Sequence, residues 1–165
     1  MGIGRRLACG AAMSLHALEG RRDADDPGFT AGDAQALLMS TKFAPWVQEL
    51  GLVVEQCSRD GVMLRMPWSP KLARYGNTLC GQAMLAAADT ALVIAFCAAL
   101  GRFQNCTTVS QTMNFMRSLP EGDVLIEAVV RKLGRNLVFA EATFRAPDRT
   151  EAAAQAIATW AILPS

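Results

Sequence analysis

The sequence YGNTLCGQAMLAAADTALVIAFCAAL, residues 75–100, decides how the rest of the chain must fold. It predicts a turn followed by a long helix that is apolar on nearly every face, which is typical of a helix buried in a core. Between Ala83 and Leu100 the single charged side chain is Asp89. A carboxylate in such a helix is costly unless it is paired, hydrogen-bonded or used in chemistry, so Asp89 is a candidate functional residue.

The segments around this helix change to strand patterns. Upstream, the stretches 52–58 and 62–68 predict a hairpin, and Pro67 ends its second strand. Residues 69–77 are predicted to form a loop. Four further strands are predicted downstream, at 107–117, 124–131, 137–146 and from about 154 to 163. In the first of these four, alternation places Val109, Met113 and Phe115 on one side.

The N-terminal part predicts two short helices and an extension. One helix is capped by Asp33 and runs to about Ser40, and the other lies within 43–50, with Gly51 at its end. Residues 1–30 are rich in Arg, Ala and Gly and are expected to form a poorly packed extension rather than a secretory or transit peptide. The single folded domain is therefore expected to span 31–165.

Composition excludes several classes of function. The 165 residues are 52% hydrophobic with a formal net charge of +1, which gives no electrostatic case for nucleic acid or a membrane surface. The run 83–100 is long enough for a membrane span, but Asp89 and the strands that follow favour a buried helix instead. No membrane partner is therefore expected.

The cysteines and the single histidine favour a cytoplasmic protein without a metal site. The five cysteines form no Cys-x-x-Cys pair and predict free thiols in a reducing compartment. His16 is the single histidine, so zinc and histidine-based triads are not expected unless His16 folds back into a site. We expect no metal and no redox cofactor.

The order of elements defines an α+β fold: helix, two strands, a long helix, then four strands. Short turns between strands predict a six-stranded antiparallel sheet with the long helix across one face. Six strands exceed what one helix covers, so the other face is expected to meet a second subunit of a homo-oligomer.

This pattern resembles the hotdog fold, a six-stranded antiparallel sheet wrapped around a long central helix. Over about 43–163 the chain is most similar to the phenylacetyl-CoA thioesterase (PaaI-like) subgroup, whose members carry His-Gly-Gly, six further residues and a helix carboxylate. Here Cys80-Gly81-Gln82 and Asp89 stand at those places. Later signatures follow in order at 107–110, 115–117, 122–123 and 132–135. Cys80 replaces the family histidine, and the slot of a frequent family asparagine holds Arg74, three residues before Asn77.

The resemblance implies an acyl-CoA thioesterase that forms a homodimer, with a tetramer as a further arrangement. It implies that the Gly81 N–H stabilises the oxyanion and that Asp89 of the opposing chain acts as general base or nucleophile. The two residues are eight positions apart, about 12 Å along one helix, which is too far to act on one carbonyl within a chain. The alternatives are that Gly81 relieves crowding and that Asp89 is hydrogen-bonded to backbone or Thr90.

The resemblance also assigns candidate residues around this pair, each with a plain structural alternative. Gln82 would hold the carbonyl or water, or cap the helix, and Asn77 would serve in place of the family asparagine. Cys80 is a small filler or a nucleophile. The candidate substrate-binding residues are Thr108, Ser110, Arg117, Lys132, Gly134 and Arg135. The last four would bind the phosphates of CoA. The alternative is that these residues are ordinary strand residues or solvated charges.

Two other functions are also compatible with the sequence. The absent family histidine motivates a non-catalytic acyl-CoA-binding hotdog protein. Hydration of an enoyl thioester ranks last, because its usual histidine has no candidate within the domain. The acyl group itself is not fixed by the sequence.

Overall fold

The computed structural model describes residues 28–164. Its α-helices are α1 (Ala31–Leu38), α2 (Pro45–Gln48) and α3 (Gly81–Leu100). Its strands are β1 (Val53–Ser58), β2 (Gly61–Met66), β3 (Ala73–Arg74), β4 (Thr78–Leu79), β5 (Cys106–Phe115), β6 (Val124–Leu133), β7 (Leu137–Arg145) and β8 (Ala154–Ile162).

Six strands form one antiparallel sheet in the order β1-β2-β6-β7-β8-β5, and α3 lies across one of its faces. This is the α+β hotdog architecture that the sequence predicts, so the expected fold is confirmed. Strand β5 occupies one edge of the sheet, and it pairs with β8 on one side only.

Helix α3 forms the centre of the core. Small side chains at Ala87, Ala88 and Ala91 are fully buried and let the helix approach the sheet closely. The helix is long and apolar enough to cross a membrane, yet 67% of its most apolar 18-residue stretch is buried within the protein. The fold therefore accounts for its hydrophobicity by packing against the sheet, as the sequence analysis expects.

One stripe of α3 is not covered by its own sheet. The residues at this stripe are only partly buried or exposed and recur every three or four positions: Gln82, Leu85, Ala86, Asp89 and Val93. Spacing of this kind places side chains on one helix face. The stripe runs beside the edge strand β5, because Gln111 donates a hydrogen bond from its side chain to the Leu85 carbonyl at 2.9 Å.

The start of the described chain differs from the prediction. Thr30, not Asp33, is the N-cap of α1, and Asp33 completes a capping box from the third helical position. Phe29 packs against the core, and its carbonyl accepts a hydrogen bond from the Cys57 thiol at 3.3 Å. Phe29 therefore packs on the domain and Thr30 caps its first helix. The predicted extension stays a prediction for residues 1–27, which include Cys9 and His16 and lie outside the described residues.

Two local features of the sheet region also correct the predictions. The segment predicted as a loop holds a 3₁₀ helix, Pro70–Leu72, and the two-stranded β3–β4 ladder. In β5, the register with β8 shifts between Thr108 and Ser110, so that Val109 is a bulge residue. The simple alternation through Val109, Met113 and Phe115 is therefore wrong, because the bulge changes the face of every residue that follows it.

Candidate active site

Asp89 is half-buried and is held by a short chain of hydrogen bonds. The Thr108 hydroxyl donates to Asp89 Oδ1 at 2.9 Å, and Trp160 Nε1 donates to the Thr108 oxygen at 2.9 Å. An indole N–H is only a donor, so it occupies Thr108 as an acceptor and leaves the hydroxyl proton for the carboxylate. The direction of both bonds is therefore fixed by chemistry.

This chain exists because the sheet brings three distant residues to one place. Thr108 and Trp160 are directly paired across β5 and β8, and Trp160 is fully buried. Thr90 instead donates its hydroxyl to the Ala86 carbonyl at 2.8 Å, so it does not hold Asp89. Among residues 28–164, Thr108 is the one hydrogen-bond partner of Asp89, which leaves the other carboxylate oxygen for water or a ligand.

The N-terminus of α3 offers free backbone donors. Cys80 is the N-cap, and its sulfur accepts the Ala83 amide at 3.4 Å, so Gln82 does not cap the helix. The amides of Gly81 and Gln82 donate to no residue in the described part of the chain. Two adjacent N–H groups at a helix start can stabilise a developing oxyanion.

Gly81 has a packing reason as well as a chemical one. A Cβ atom at this position would lie 3.2 Å from Cζ of Phe115, which is tighter than normal contact. The alternative that Gly81 relieves crowding is thus partly supported, and it is compatible with a free amide.

A cavity of about 390 Å³ opens beside Gly81. Its lining residues are Arg74, Thr78, Leu79, Gly81, Met84, Phe115, Met116, Arg117, Ser118 and Leu119. Asn77 and Gln82 are exposed and do not line it. Asn77 lies in the β3–β4 turn at a φ of +49°, a left-handed conformation that asparagine tolerates better than most residues. That turn by itself accounts for an asparagine there.

The predicted phosphate-binding residues divide between opposite ends of the sheet. Arg117 follows the end of β5, which pairs with Ala154, whereas the β6–β7 turn lies at the other end, where Leu137 pairs with Ala161. A ten-residue strand spans roughly 30 Å, so one chain does not bring Arg117 to the 132–135 segment.

At that turn, Lys132 and Arg135 are exposed, but the Gly134 amide already donates to the Leu137 carbonyl at 2.9 Å. A Cβ at Gly134 would lie 2.8 Å from the same carbonyl oxygen, which explains the glycine. The Gly134 amide is therefore not free for a phosphate, and donors at this turn must come from its neighbours.

Ser110 and Thr108 do not share a site within one chain. Ser110 pairs with Thr159 on the far side of the bulge, and both line a second cavity of about 280 Å³ on the sheet face away from α3. Side chains directly opposite in an antiparallel pair share a face. The structure thus separates two residues that the sequence analysis assigned to one function.

Three of the four cysteines in the described region have thiols whose pKa is raised. Burial raises the pKa of both Cys57 and Cys106 to about 11 and raises that of Cys97 as well. Within residues 28–164 the cysteines are unpaired, and no group of three or more His, Cys, Asp or Glu side chains is arranged to hold a metal ion.

Sequence reasoning missed two residues of this region. Trp160 falls within the last predicted strand, where the pattern gives it no role, and Arg74 stands out only because it occupies the place of a family asparagine. Alternation along β8 could have indicated that Trp160 points inward, since Ala154, Ala156, Ala158 and Trp160 form one buried face. Its contact with Thr108, 52 residues away, has no local signal.

Comparison with known proteins finds one family model that matches part of the chain. The sequence model of the Thioesterase superfamily matches residues 76–153, just under half of the chain. The match begins in the β3–β4 turn and includes all of α3, β5, β6 and β7. No curated protein matches the sequence significantly.

Solved structures with the same fold include three thioesterase-named proteins. A candidate thioesterase from Silicibacter sp. TM1040 is 26% identical with a TM-score of 0.72, covering 82% of this chain and 93% of that one. Zebra fish thioesterase superfamily member 2 is 22% identical with a TM-score of 0.73, covering 81% and 99%. A Haemophilus influenzae thioesterase is 20% identical with a TM-score of 0.71, covering 82% and 91%. These similarities show the hotdog fold of this chain.

Proposed function

We propose that the protein is a thioesterase of the hotdog superfamily that hydrolyses an acyl-CoA to a free acid and CoA. The match to the Thioesterase superfamily over the helix and the three strands after it supports the reaction class. The observation that carries the proposal is Asp89, a carboxylate with one bonded and one open oxygen, on the same helix as two free amides. In this proposal Asp89 activates water or attacks the thioester itself, and the Gly81 amide binds the oxyanion.

The active site is completed by a second chain. Asp89 lies beside Thr108 near the start of β5, and Gly81 lies against Phe115 at its end. Strand β5 is an edge strand, so its outer backbone groups are open to another strand. Antiparallel pairing of two β5 strands about a twofold axis sets the start of one beside the end of the other. Gly81 of one chain then faces the partner's Asp89, and the uncovered stripe of α3 lies along the same seam.

The remaining predicted residues take supporting positions in this arrangement. Thr108 orients Asp89 through the bond that Trp160 fixes. Lys132 and Arg135 lie at the end of the sheet that carries Asp89, where they are available to CoA phosphates. Gln82, beside the Gly81 amide, is exposed on the stripe that faces the seam.

Release of CoA from a panel of aryl and aliphatic acyl-CoAs tests the reaction. We expect Asp89→Asn to lower kcat by about 100-fold or more, which is typical of losing a general base. Asp148→Asn is the matched control, because Asp148 is exposed and makes no side-chain contact within residues 28–164. An unchanged rate in Asp89→Asn would refute the role of Asp89. Tight binding of acyl-CoA by the native protein without any CoA release would favour the non-catalytic binding function.

Two substitutions at Gly81 test the oxyanion role. Gly81→Ala and Gly81→Pro both place a Cβ against Phe115, but only proline removes the amide hydrogen. Proline suits the first position of a helix, and Cys80 already has the extended ψ of 146° that a following proline requires. We expect activity to fall much further in Gly81→Pro than in Gly81→Ala, and equal losses would contradict an amide role.

Mixing two inactive variants tests the shared site. In a heterodimer of Asp89→Asn and Gly81→Pro chains, one site is native and the other carries both changes. Equimolar mixing with subunit exchange should restore about one quarter of native activity. No recovery from a mixture that forms heterodimers would show that each chain acts alone.

A further inference from the structure

The cavity beside Gly81 is lined by two arginines and by no acidic side chain. Its other lining groups are apolar or carry a hydroxyl. An anion that enters this cavity therefore meets two guanidinium groups and no competing carboxylate among the lining residues.

The two arginines differ in how they are held. Arg117 is anchored, because its Nη1 donates to the Ala152 carbonyl at 2.8 Å. That bond uses one of the five N–H donors of the guanidinium, and the others remain available. The side chain of Arg74, on the short strand β3, makes no hydrogen bond or ion pair with any residue of the described chain. The two cations are thus not neutralised by their surroundings, and arginine binds carboxylates in a two-pronged manner.

The rest of the lining suits an acyl chain. Leu79, Met84, Phe115 and Leu119 supply apolar surface to the same cavity. A sphere with the volume of this cavity is about 9 Å across, which is small for a binding pocket. A cavity of this volume has room for a short acyl group.

We propose that this cavity binds an acyl group that ends in a carboxylate, so that the substrate is a thioester of a short dicarboxylic acid. The proposal rests on the thioesterase function proposed above. The acyl carbonyl lies at the Gly81 amide, the methylene groups contact the apolar lining, and the distal carboxylate binds Arg74 and Arg117. Carboxylate recognition at this point makes the two arginines specificity-determining residues rather than catalytic ones.

The phosphates of CoA provide a different anion, but the distances disfavour them here. The pantetheine arm is peptide-like and corresponds to about four residues, so it separates the thioester from the pyrophosphate by roughly 14 Å when extended. That length exceeds the diameter of a sphere with the volume of the cavity. The phosphates then lie outside it, and the carboxylate is the anionic group that fits.

Four substrates separate the two sources of negative charge. Glutaryl and valeryl thioesters have the same number of carbons and differ in the distal carboxylate. Each is prepared on CoA and on N-acetylcysteamine, which lacks phosphates. We expect the native protein to show a kcat/KM at least about 10-fold higher for the glutaryl member of each pair, because ionic hydrogen bonds are worth about that factor or more.

Arg74→Gln is the main test variant, because the Arg74 side chain makes no hydrogen bond or ion pair within residues 28–164 that the substitution would break. It should lower kcat/KM for both glutaryl thioesters and leave both valeryl thioesters nearly unchanged. Arg149→Gln is the control, since Arg149 lies in the β7–β8 turn at the same end of the sheet and does not line the cavity. Loss of activity on both CoA thioesters, with both N-acetylcysteamine thioesters spared, would overturn the proposal in favour of a phosphate site.

A binding measurement keeps this inference separate from the reaction. Titration calorimetry compares two non-hydrolysable thioethers of CoA, one with a 4-carboxybutyl group and one with a pentyl group. Tighter binding of the carboxylated thioether, lost in Arg74→Gln, supports the carboxylate site even if the protein hydrolyses no thioester. Equal binding of the two thioethers, or equal hydrolysis of the two acyl groups, overturns the site while leaving thioester hydrolysis intact.

Discussion

Replacing Thr108 with valine should destabilise the protein, because it removes the acceptor of a buried donor. Trp160 is fully buried, and its indole N–H donates to the Thr108 hydroxyl. In the described part of the chain, no buried side-chain nitrogen or oxygen lacks a partner. Valine has nearly the same shape as threonine but leaves this N–H unpaired, which costs about 1–3 kcal/mol.

Two further contributions determine the net size of this effect. Asp89 also loses its hydrogen bond, but it is only half-buried, so water compensates for much of that loss. Valine favours strands slightly more than threonine, which offsets part of the cost by less than about 1 kcal/mol. The expected net loss in the free energy of unfolding is therefore about 1–2 kcal/mol.

Urea unfolding followed by tryptophan fluorescence measures this change. With an m-value of about 2 kcal/mol per molar urea, the midpoint should fall by roughly 0.5–1 M. Thr108→Ser is the control because it keeps the hydroxyl and should lose much less stability. Protein concentration must be equal throughout, since association would shift the midpoint. A Thr108→Val midpoint equal to that of Thr108→Ser or of the native protein would refute the reasoning.

Three further predictions follow from local geometry. Hydrogen bonds from Thr30 lower the pKa of Asp33 below its ordinary 3.8. The ionised carboxylate therefore stabilises the folded protein above pH 3.8, and this stabilisation is lost as the pH falls through the lowered pKa. The difference in melting temperature between native protein and Asp33→Asn should therefore close on acidification, and a constant difference would contradict it. Gly101 ends α3 at a φ of +74°, a left-handed conformation that strains most other residues. Gly101→Ala should therefore lower the free energy of unfolding by about 1 kcal/mol, and Gly101→Asn by less. Equal stability of the two variants and the native protein would exclude this strain. With thiol pKa values of about 11, Cys57 and Cys106 should react slowly with a disulfide reagent in the folded protein and fast in urea. Rapid labelling of these thiols before unfolding would show that burial does not protect them.

Much of the fold could be predicted because its signals are local. The apolar run of α3 and the alternation of the later strands depend on residues a few positions apart. A hydrophobic pattern does not show two other local features, the identity of a helix cap and the position of a β-bulge. Thr30 and Asp33 are both good cap residues three positions apart, and only the backbone shows which of them precedes the helix. The bulge at Val109 adds one residue to β5 and has no compositional signal.

The candidate site was predicted in part for the same reason. Asp89 and Gly81 could be identified because each is unusual in its own segment, a carboxylate in an apolar helix and a glycine at its start. Ser110 could not be placed, since one bulge residue sends it to the other face of the sheet. The four candidates for phosphate binding could not be divided between the two ends of the sheet, because strand order is a property of pairing between distant segments.

The sequence by itself determined a buried helix with one carboxylate, the strands around it, and the spacing of about 12 Å that separates Asp89 from Gly81. Tertiary structure alone decided what surrounds those two residues. It joined Asp89 to Thr108 across 19 residues and Thr108 to Trp160 across 52, and it brought Arg74 and Arg117 to one cavity. The physical reason is that periodicity records which face of a segment is apolar, whereas a site is made by contacts between segments whose register is fixed only when the sheet forms.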